Sequence, residues 1–181
     1  MTQLSDVSGT YVLDPAHTEI SFVSRHAMVA KVRGSFSEFS GTATIDGANP
    51  ANSTLSVEVQ AASVTTRSPD RDGHLQSPDF FDVATFPTIT FTGTGFAVNG
   101  DIAEVTGDLT IKDVTQSITI PFEFQGGATD PFGNERIGFE GRVTVNRTDF
   151  GLTWNAALET GGFLVGDKVV LEFEVSAIKQ A

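Results

Sequence analysis

Eight segments of this chain alternate apolar and polar residues, the pattern of a β-strand that buries one face. In residues 102–112, for example, Val105, Leu109 and Ile111 fall on one face and Thr106 and Asp108 on the other. The short links between most segments predict an all-β fold, either an antiparallel barrel or a sandwich. The segments are residues 18–26, 31–46, 54–60, 88–95, 102–112, 115–125, 135–145 and 167–178, preceded by a shorter strand at 10–13.

Two positions interrupt this alternation. The inward set changes parity near Glu38, which predicts a bulge in the segment 31–46. Pro121 falls on the outward face of the segment 115–125, and because proline has no backbone N–H we expect the ladder to be broken there.

The stretch from residue 67 to 87 lacks a strand pattern. Ser68 and Ser77 each precede a proline, which is the start signal of a short helix. About twenty irregular residues inside a compact domain are typical of a lid or a binding loop. The apolar side chains that such a lid would bury are Leu75, Phe80, Phe81 and Phe86.

If the strands run up and down, alternate connections lie at the same end of the barrel. One end then collects the polar or glycine-rich turns at 46–52, 99–100 and 126–134, and we call it the plain end. The other end, which we call the mouth, is the expected place for a ligand to enter. It collects residues 27–30, 61–87, 113–114 and 146–166.

Small residues on the inward faces predict a cavity inside the barrel. Gly41, Gly93, Gly107 and Gly141 share their faces with large apolar residues and leave room for a long apolar ligand. The alternative interpretation is that these glycines relieve curvature or let strands approach closely, around a filled core that serves protein interaction.

Composition narrows the choice of partners and location. The 181 residues predict one domain at 9–181 after a flexible tail at 1–8. A formal net charge of -12 argues against nucleic acid or an anionic membrane surface as the partner. We expect neither a thiolate site nor a disulfide, since the chain has no cysteine. No signal peptide or membrane-spanning run is evident, so we expect a cytoplasmic protein that is not an integral membrane protein, or a periplasmic or secreted one if a leader has been removed.

The histidines suggest chemistry that the segment order mostly argues against. His17 is assigned to the plain end, whereas His26 and His74 are assigned to the mouth, so the three cannot share one metal ion. A hydrolase or isomerase that uses His26 and His74, or a metal site that adds Asp72, are the alternatives. We expect Arg71, Asp72 and His74 to fasten the lid through charge-assisted hydrogen bonds. Arg142 and Arg147 are expected to form loop salt bridges with Asp149, and Trp154 to anchor its loop.

Five motifs then give the chain a family resemblance. They are DPAHTEISFVSRH at 14–26, VRGSFSEFSG at 32–41, RDGHLQSPDFFDVATFPTITF at 71–91, GDLTIKDVTQSITI at 107–120 and NRTDFGLTWNAALETGGFLVGDKV at 146–169. In this order the chain resembles the YceI-like family of lipocalin-like, polyisoprenoid-binding proteins. The resemblance implies an eight-stranded antiparallel up-and-down barrel with short helices in the long loops at one end, often a homodimer, without catalysis.

The pattern and the resemblance together predict a non-enzymatic protein that binds, stores or transports a long apolar lipid. A polyisoprenoid, a quinone tail or a fatty acid or amide would occupy the bore, with no cofactor and no metal. The predicted bore and mouth residues are Ile20, Phe22, His26, Phe36, Phe39, Leu75, Phe80, Phe81, Phe86, Phe91, Leu109, Ile111, Ile118, Ile120, Phe122, Ile137, Phe139, Trp154, Leu171 and Phe173.

Overall fold

The computed structural model describes residues 2–181 and confirms the all-β prediction. Eleven strands and one α-helix lie within these residues. The strands are β1 (Ser8–Leu13), β2 (Glu19–His26), β3 (Ala30–Phe36), β4 (Phe39–Asp46), β5 (Thr54–Gln60), β6 (Val64–Thr65), β7 (Thr88–Asn99), β8 (Ile102–Ile111), β9 (Val114–Thr129), β10 (Glu135–Asn146) and β11 (Lys168–Lys179), and the helix is α1 (Pro69–Gln76).

The eleven strands form a closed antiparallel barrel with eight strand positions around its circumference, which we call staves. Neighbouring strands follow the order β1, β4, β5, β7, β8, β9, β10, β11, and pairing between β1 and β11 closes the circle. Three staves are interrupted: β2, β3 and β6 continue β1, β4 and β5 towards the mouth. The interruption between β3 and β4 falls at residues 37–38, where the parity change predicted a bulge.

Pro121 affects one of its two ladders. The β8–β9 ladder runs through the Glu104 and Pro121 pair, whereas the β9–β10 ladder ends at the Gly141 and Phe122 pair, and Phe122 is the residue that follows the proline. The two strands then separate towards the mouth, and a 3₁₀ turn at Arg147–Phe150 lies beside the gap, where Gln116 Nε2 donates to the Asp149 carbonyl (3.1 Å).

Helix α1 begins as the sequence predicts, but a second helix does not follow. Ser68 caps α1 by accepting a hydrogen bond from Arg71 N (3.4 Å), and Pro69 occupies the first turn. Ser77, also expected to start a helix, instead ends α1: its N–H and its hydroxyl both donate to the His74 carbonyl. The residues after it form turns, because Phe80 and Asp82 donate their N–H groups back to the Ser77 carbonyl.

The core consists of two clusters at opposite ends. The mouth cluster is built around Val59, Phe80, Leu109, Phe150 and Leu152. The plain-end cluster contains Leu4, Val7, Tyr11, Phe124, Ile137 and Ala177.

The N-terminal residues thus differ from the predicted flexible tail at 1–8. Leu4 and Val7 are buried, and a 3₁₀ turn at Leu4–Asp6 covers the plain end; Met1 lies outside the described residues. The burial of two apolar side chains, which no periodic pattern announces in so short a segment, explains the difference. Among residues 2–181, no helix is long and apolar enough to cross a membrane.

Candidate ligand-binding cavity

A cavity of about 710 Å³ occupies the barrel between the two clusters. Its volume lies in the range of small-molecule binding sites. Aliphatic and aromatic side chains form its central wall, and polar side chains line its ends: His26, Asp70, Arg71 and His74 at the mouth, and Asp46 and Ser53 at the plain end. The central side chains are Ile20, Phe22, Phe91, Val105, Leu109, Ile118, Ile120, Phe122, Leu171 and Phe173.

The inward glycines were expected to leave room for a ligand, but the space above them is filled by other side chains. Phe96 covers Gly93, Phe91 covers Gly107 and Phe122 covers Gly141, while Leu13 covers Gly41. A Cβ atom on Gly141 would lie 2.5 Å from the Phe122 ring. The glycines therefore do not themselves provide empty volume; they let aromatic rings lie against the wall, which keeps those rings out of the bore.

The irregular segments predicted to share the mouth do meet there. The hairpin between β2 and β3 contacts the loop before β11, since Ala27 N donates to the Leu164 carbonyl (2.7 Å) and His26 pairs with Val165. The lid meets the same loop through aromatic contacts. The centroid of the Trp154 ring lies 4.6 Å from that of the His74 ring and 5.5 Å from that of the Phe80 ring. Trp154 thus both contacts the lid and lines the cavity.

Thr66 is the point to which α1 is attached. Asp72 Oδ1 accepts hydrogen bonds from Thr66 N (2.7 Å) and Thr66 Oγ1 (2.6 Å). Arg71 donates through Nε to Thr66 Oγ1 (2.7 Å) and through Nη2 to the Thr66 carbonyl (2.8 Å). His74 Nε2 lies 2.9 Å from Asp79 Oδ2. These contacts are charge-assisted, so they hold the helix across the mouth.

Arg147 lines the cavity, and its carboxylate partner is not the one that the sequence suggested. Only 5% of this residue is exposed. Its guanidinium donates to the carbonyls of Leu152 (2.5 Å), Trp154 (2.9 Å) and Gly166 (3.0 Å), and its carboxylate neighbour is Asp167 (3.6 Å) rather than Asp149. Burial lowers the pKa of Arg147, and the Asp167 charge opposes this shift. The side chain ties together the loop at residues 151–167.

Most predicted bore residues line the cavity, but Phe39 and Phe86 do not. Phe39 follows the interruption between β3 and β4 and packs against the mouth cluster, while the Phe86 backbone closes a turn by donating to the Asp82 carbonyl (2.8 Å). Asp72 is also outside the wall, since it faces Thr66. Lining residues that sequence reasoning missed include Val145, Arg147, Phe150, Leu152, Leu164 and Val165.

The histidines are distributed between the two ends. His17 Nδ1 contacts Asp14 Oδ2 (2.7 Å) at the plain end, and His26 and His74 line the mouth. Asp72, the third ligand of the metal site considered from the sequence, accepts hydrogen bonds from Thr66 instead. The carboxylate beside His74 is that of Asp79. In the part of the chain that the structure describes, no three His, Asp or Glu side chains come together as a metal site would require.

The YceI-like domain model matches residues 11–177. The chain belongs to the YceI-like family. A UPF0312 protein of Pseudomonas savastanoi is 38% identical over 149 residues, which cover 81% of this chain and 78% of the relative. Protein YceI of Salmonella newport is 36% identical over 151 residues, covering 82% and 79%.

Solved structures share the barrel. BcnA of Burkholderia cenocepacia superposes with a TM-score of 0.80 at 25% identity, over 91% of this chain and 98% of that one. The Campylobacter jejuni YceI protein gives a TM-score of 0.71 at 30% identity, over 87% and 90%. A structure from Saccharophagus degradans, described as a polyisoprenoid-binding domain, gives 0.72 over 94% and 98%, and at 19% identity it shows the fold alone.

Proposed function

We propose that this protein is a non-enzymatic binder of a long apolar lipid, held in the barrel with its polar end at the mouth. The observation that carries the proposal is the central cavity wall, which consists of aliphatic and aromatic side chains between two polar ends. A long unbranched or methyl-branched chain fits such a wall, because it needs no hydrogen-bond partner along its length.

The hydrophobic effect supplies enough free energy for this role. Each methylene removed from water contributes about 0.8 kcal/mol, so about ten methylenes contribute roughly 8 kcal/mol before the cost of ordering the chain. A net free energy of roughly 8 kcal/mol corresponds to micromolar binding, so a chain long enough to offset the ordering cost as well reaches that affinity. A polyisoprenoid, a quinone tail and a fatty acid or amide all satisfy this requirement, and the polyisoprenoid-binding domain of Saccharophagus degradans, which has the same fold, supports the first of them.

The mouth histidines favour binding over catalysis. His74 packs edge-on against Phe80 and Trp154 and contacts Asp79, so its contacts are those of a residue that holds the lid. The second mouth histidine, His26, takes part in the bridge to Val165 that joins two loops. A lipid binder should hydrolyse neither ester nor amide lipids, and replacing both histidines by Gln should loosen the lid without abolishing lipid binding.

Native mass spectrometry of the purified protein, followed by organic extraction, tests the proposal directly. We expect a bound lipid of long apolar chain, and exchange into it of an added polyprenyl or fatty fluorescent lipid. Ile118→Trp places a large side chain in the bore and should reduce binding at least tenfold. Ser117→Trp, one residue away on the outer face, is the matched control and should bind normally. A folded protein that binds none of these lipids would contradict the proposal.

A further inference from the structure

Three large apolar side chains are exposed at the mouth. Met28 and Val29, at the tip of the hairpin between β2 and β3, are 66% and 81% exposed, and Phe163, in the loop before β11, is 60% exposed. The Met28 sulfur lies next to Gly162, so hairpin and loop form one continuous surface. Exposed apolar side chains grouped in this way mark an interaction site.

The hairpin tip is held in a defined shape. Ala27 and Met28 adopt positive φ angles of 50° and 64°, and Val29 N donates to the His26 carbonyl (3.1 Å). A hydrogen bond from Ala27 N to Leu164 fixes the tip to the neighbouring loop. The apolar side chains are therefore presented by a braced turn beside the opening of the cavity.

Basic side chains surround the apolar tip without acidic partners. Arg25 and Lys31 are directly opposite each other in the β2–β3 ladder, an arrangement in which like charges repel. Lys168 begins β11 beside them, because Gly166 N donates to the Arg25 carbonyl (3.0 Å). Within residues 2–181, no carboxylate lies within 4.0 Å of these three cationic groups. An anionic partner would relieve the repulsion.

The mouth also carries acidic side chains, on elements other than the hairpin between β2 and β3. Asp72 of α1 is bonded to Thr66, and Asp79 contacts His74. Asp167 pairs with Arg147 (3.6 Å), and Glu159 lies in the loop before β11. Because charges are screened beyond about 8 Å at physiological ionic strength, the basic groups beside the hairpin tip act on a surface that contacts the tip, although the molecule as a whole carries a net charge of -12.

From the apolar tip and its basic surround, we propose that the mouth docks on a lipid bilayer with anionic headgroups. Met28, Val29 and Phe163 enter the interface between headgroups and acyl chains, while Arg25, Lys31 and Lys168 contact lipid phosphates. These six residues are the docking face. This orientation places the cavity opening against the membrane, so the proposal rests on the lipid-binding function and names where the lipid is exchanged. It also revises the expectation, drawn from net charge, that an anionic surface is not a partner.

Vesicle flotation tests the docking face. The full chain is mixed with vesicles of phosphatidylcholine alone or with one third phosphatidylglycerol, at low and at physiological salt. We expect flotation with the anionic vesicles, weakened by salt. The variant Met28→Ser/Val29→Ser/Phe163→Ser should lose it, and Lys31→Gln/Lys168→Gln should weaken it by about thirtyfold.

Two matched controls lie elsewhere on the surface. Phe132, at the plain end, is 89% exposed, so Phe132→Ser removes a ring that is even more exposed than Phe163 from a region that the proposal leaves in water. Arg142→Gln removes an exposed positive charge from the middle of β10. Both variants should float like the original protein.

Because the chain has no cysteine, single labels report the orientation. An environment-sensitive dye on Phe163→Cys should shift to shorter wavelength with anionic vesicles, whereas the same dye on Phe132→Cys should not. Equal shifts at both sites, or no flotation, would overturn the docking proposal. A triple variant that instead changes the sedimentation coefficient would show that a second copy of the chain covers the face, which also overturns it.

The two proposals fail separately. None of the five residues substituted in the apolar and lysine variants lines the cavity, so binding of a dispersed fluorescent lipid should be unchanged in both. Lipid binding without vesicle binding would remove the docking proposal alone. Vesicle binding by a protein whose cavity takes no lipid would remove the proposed function and, with it, the role in exchange.

Discussion

The Phe122 ring lies over Gly141 on the adjacent strand, in the position that a side chain at residue 141 would occupy. The ring also contacts Phe173, with 5.7 Å between the ring centroids. Any side chain at position 141 must therefore push the ring towards the bore. This pair links the stability of the barrel wall to the width of the cavity.

We expect Gly141→Ala to lower the free energy of unfolding by about 1–3 kcal/mol, since extra atoms in a packed wall force side chains out of their preferred rotamers. Lipid binding should weaken as well. Urea titration and fluorescent-lipid binding measure the two effects. Phe122→Leu in the same chain should restore part of the stability, which a double-mutant cycle detects.

Gly138→Ala is the control on the same strand. A Cβ atom there would make only ordinary contacts, the nearest at 3.6 Å from Gln125 Cβ. Since glycine in a strand interior is less favourable than alanine, this substitution should be neutral or stabilising. A loss of stability equal to that of Gly141→Ala would show that the ring contact is not the cause.

The sequence predicted those elements whose side-chain pattern depends only on residues nearby in the chain. Alternation in residues 102–112 identifies β8 because every second residue faces the core, and Ser68 identifies the start of α1 because its capping partner is three residues away. It failed where the partner is distant or is a backbone group. The covering of Gly141 by Phe122 depends on strand register, and the partners of Arg147 are carbonyls of a loop that has no periodic pattern.

The sequence also failed to predict that the N-terminal segment, residues 2–8, packs on the barrel. A substitution at Gly47, which this segment covers, tests that packing. A Cβ atom at Gly47 would lie 2.5 Å from the carbonyl oxygens of Leu4 and Val7 and 2.8 Å from that of Ser5. Gly47 N also donates to the Val7 carbonyl (2.8 Å). Gly47→Ala should therefore displace the segment that buries Leu4.

We expect this substitution to cost about 1–3 kcal/mol of unfolding free energy and to speed hydrogen exchange in residues 2–8 more than in the barrel strands. Hydrogen-exchange mass spectrometry resolves the two regions. Gly95→Ala, whose Cβ atom would lie 3.7 Å from Thr106 Cβ, serves for comparison and should leave the segment protected. Unchanged exchange in residues 2–8 would argue against packing of this segment on Gly47.

The lid should loosen when Asp72 is replaced. Asp72→Ala removes the acceptor of the Thr66 N–H and hydroxyl, and an unsatisfied buried donor costs about 1–3 kcal/mol. We expect faster dissociation of a bound fluorescent lipid and faster proteolysis within residues 67–87, with little change in the rest of the barrel. Gly73→Ala, on the same helix but outside the cavity lining and with nothing within 4 Å of its Cβ atom, should accelerate neither rate. Equal effects of the two substitutions would mean that Thr66 is not the attachment point.

Acid should weaken the plain end through the cluster of Asp14, Asp130 and Arg136. Arg136 donates to Asp14 (2.6 Å) and His17 contacts it, which lowers the pKa of Asp14 from 3.8 to about 2. Hydrogen bonds from Asn134 and then Arg136 also lower the pKa of Asp130. A carboxylate whose pKa is lower in the folded state contributes stability above its unfolded pKa, and this contribution is lost as pH falls through the folded value.

We therefore expect the melting temperature to fall as pH decreases from about 4 to about 2. Asp14→Asn should be less stable at pH 7 by roughly 1–2 kcal/mol, because Arg136 loses a charged acceptor, and its stability should depend less on pH across this interval. Thermal melts at a series of pH values measure both. Asp108→Asn, an exposed carboxylate on the outer face of β8, is the control and should retain the original pH dependence. If Asp14→Asn kept the full acid dependence, the ion pair with Arg136 would not be its source.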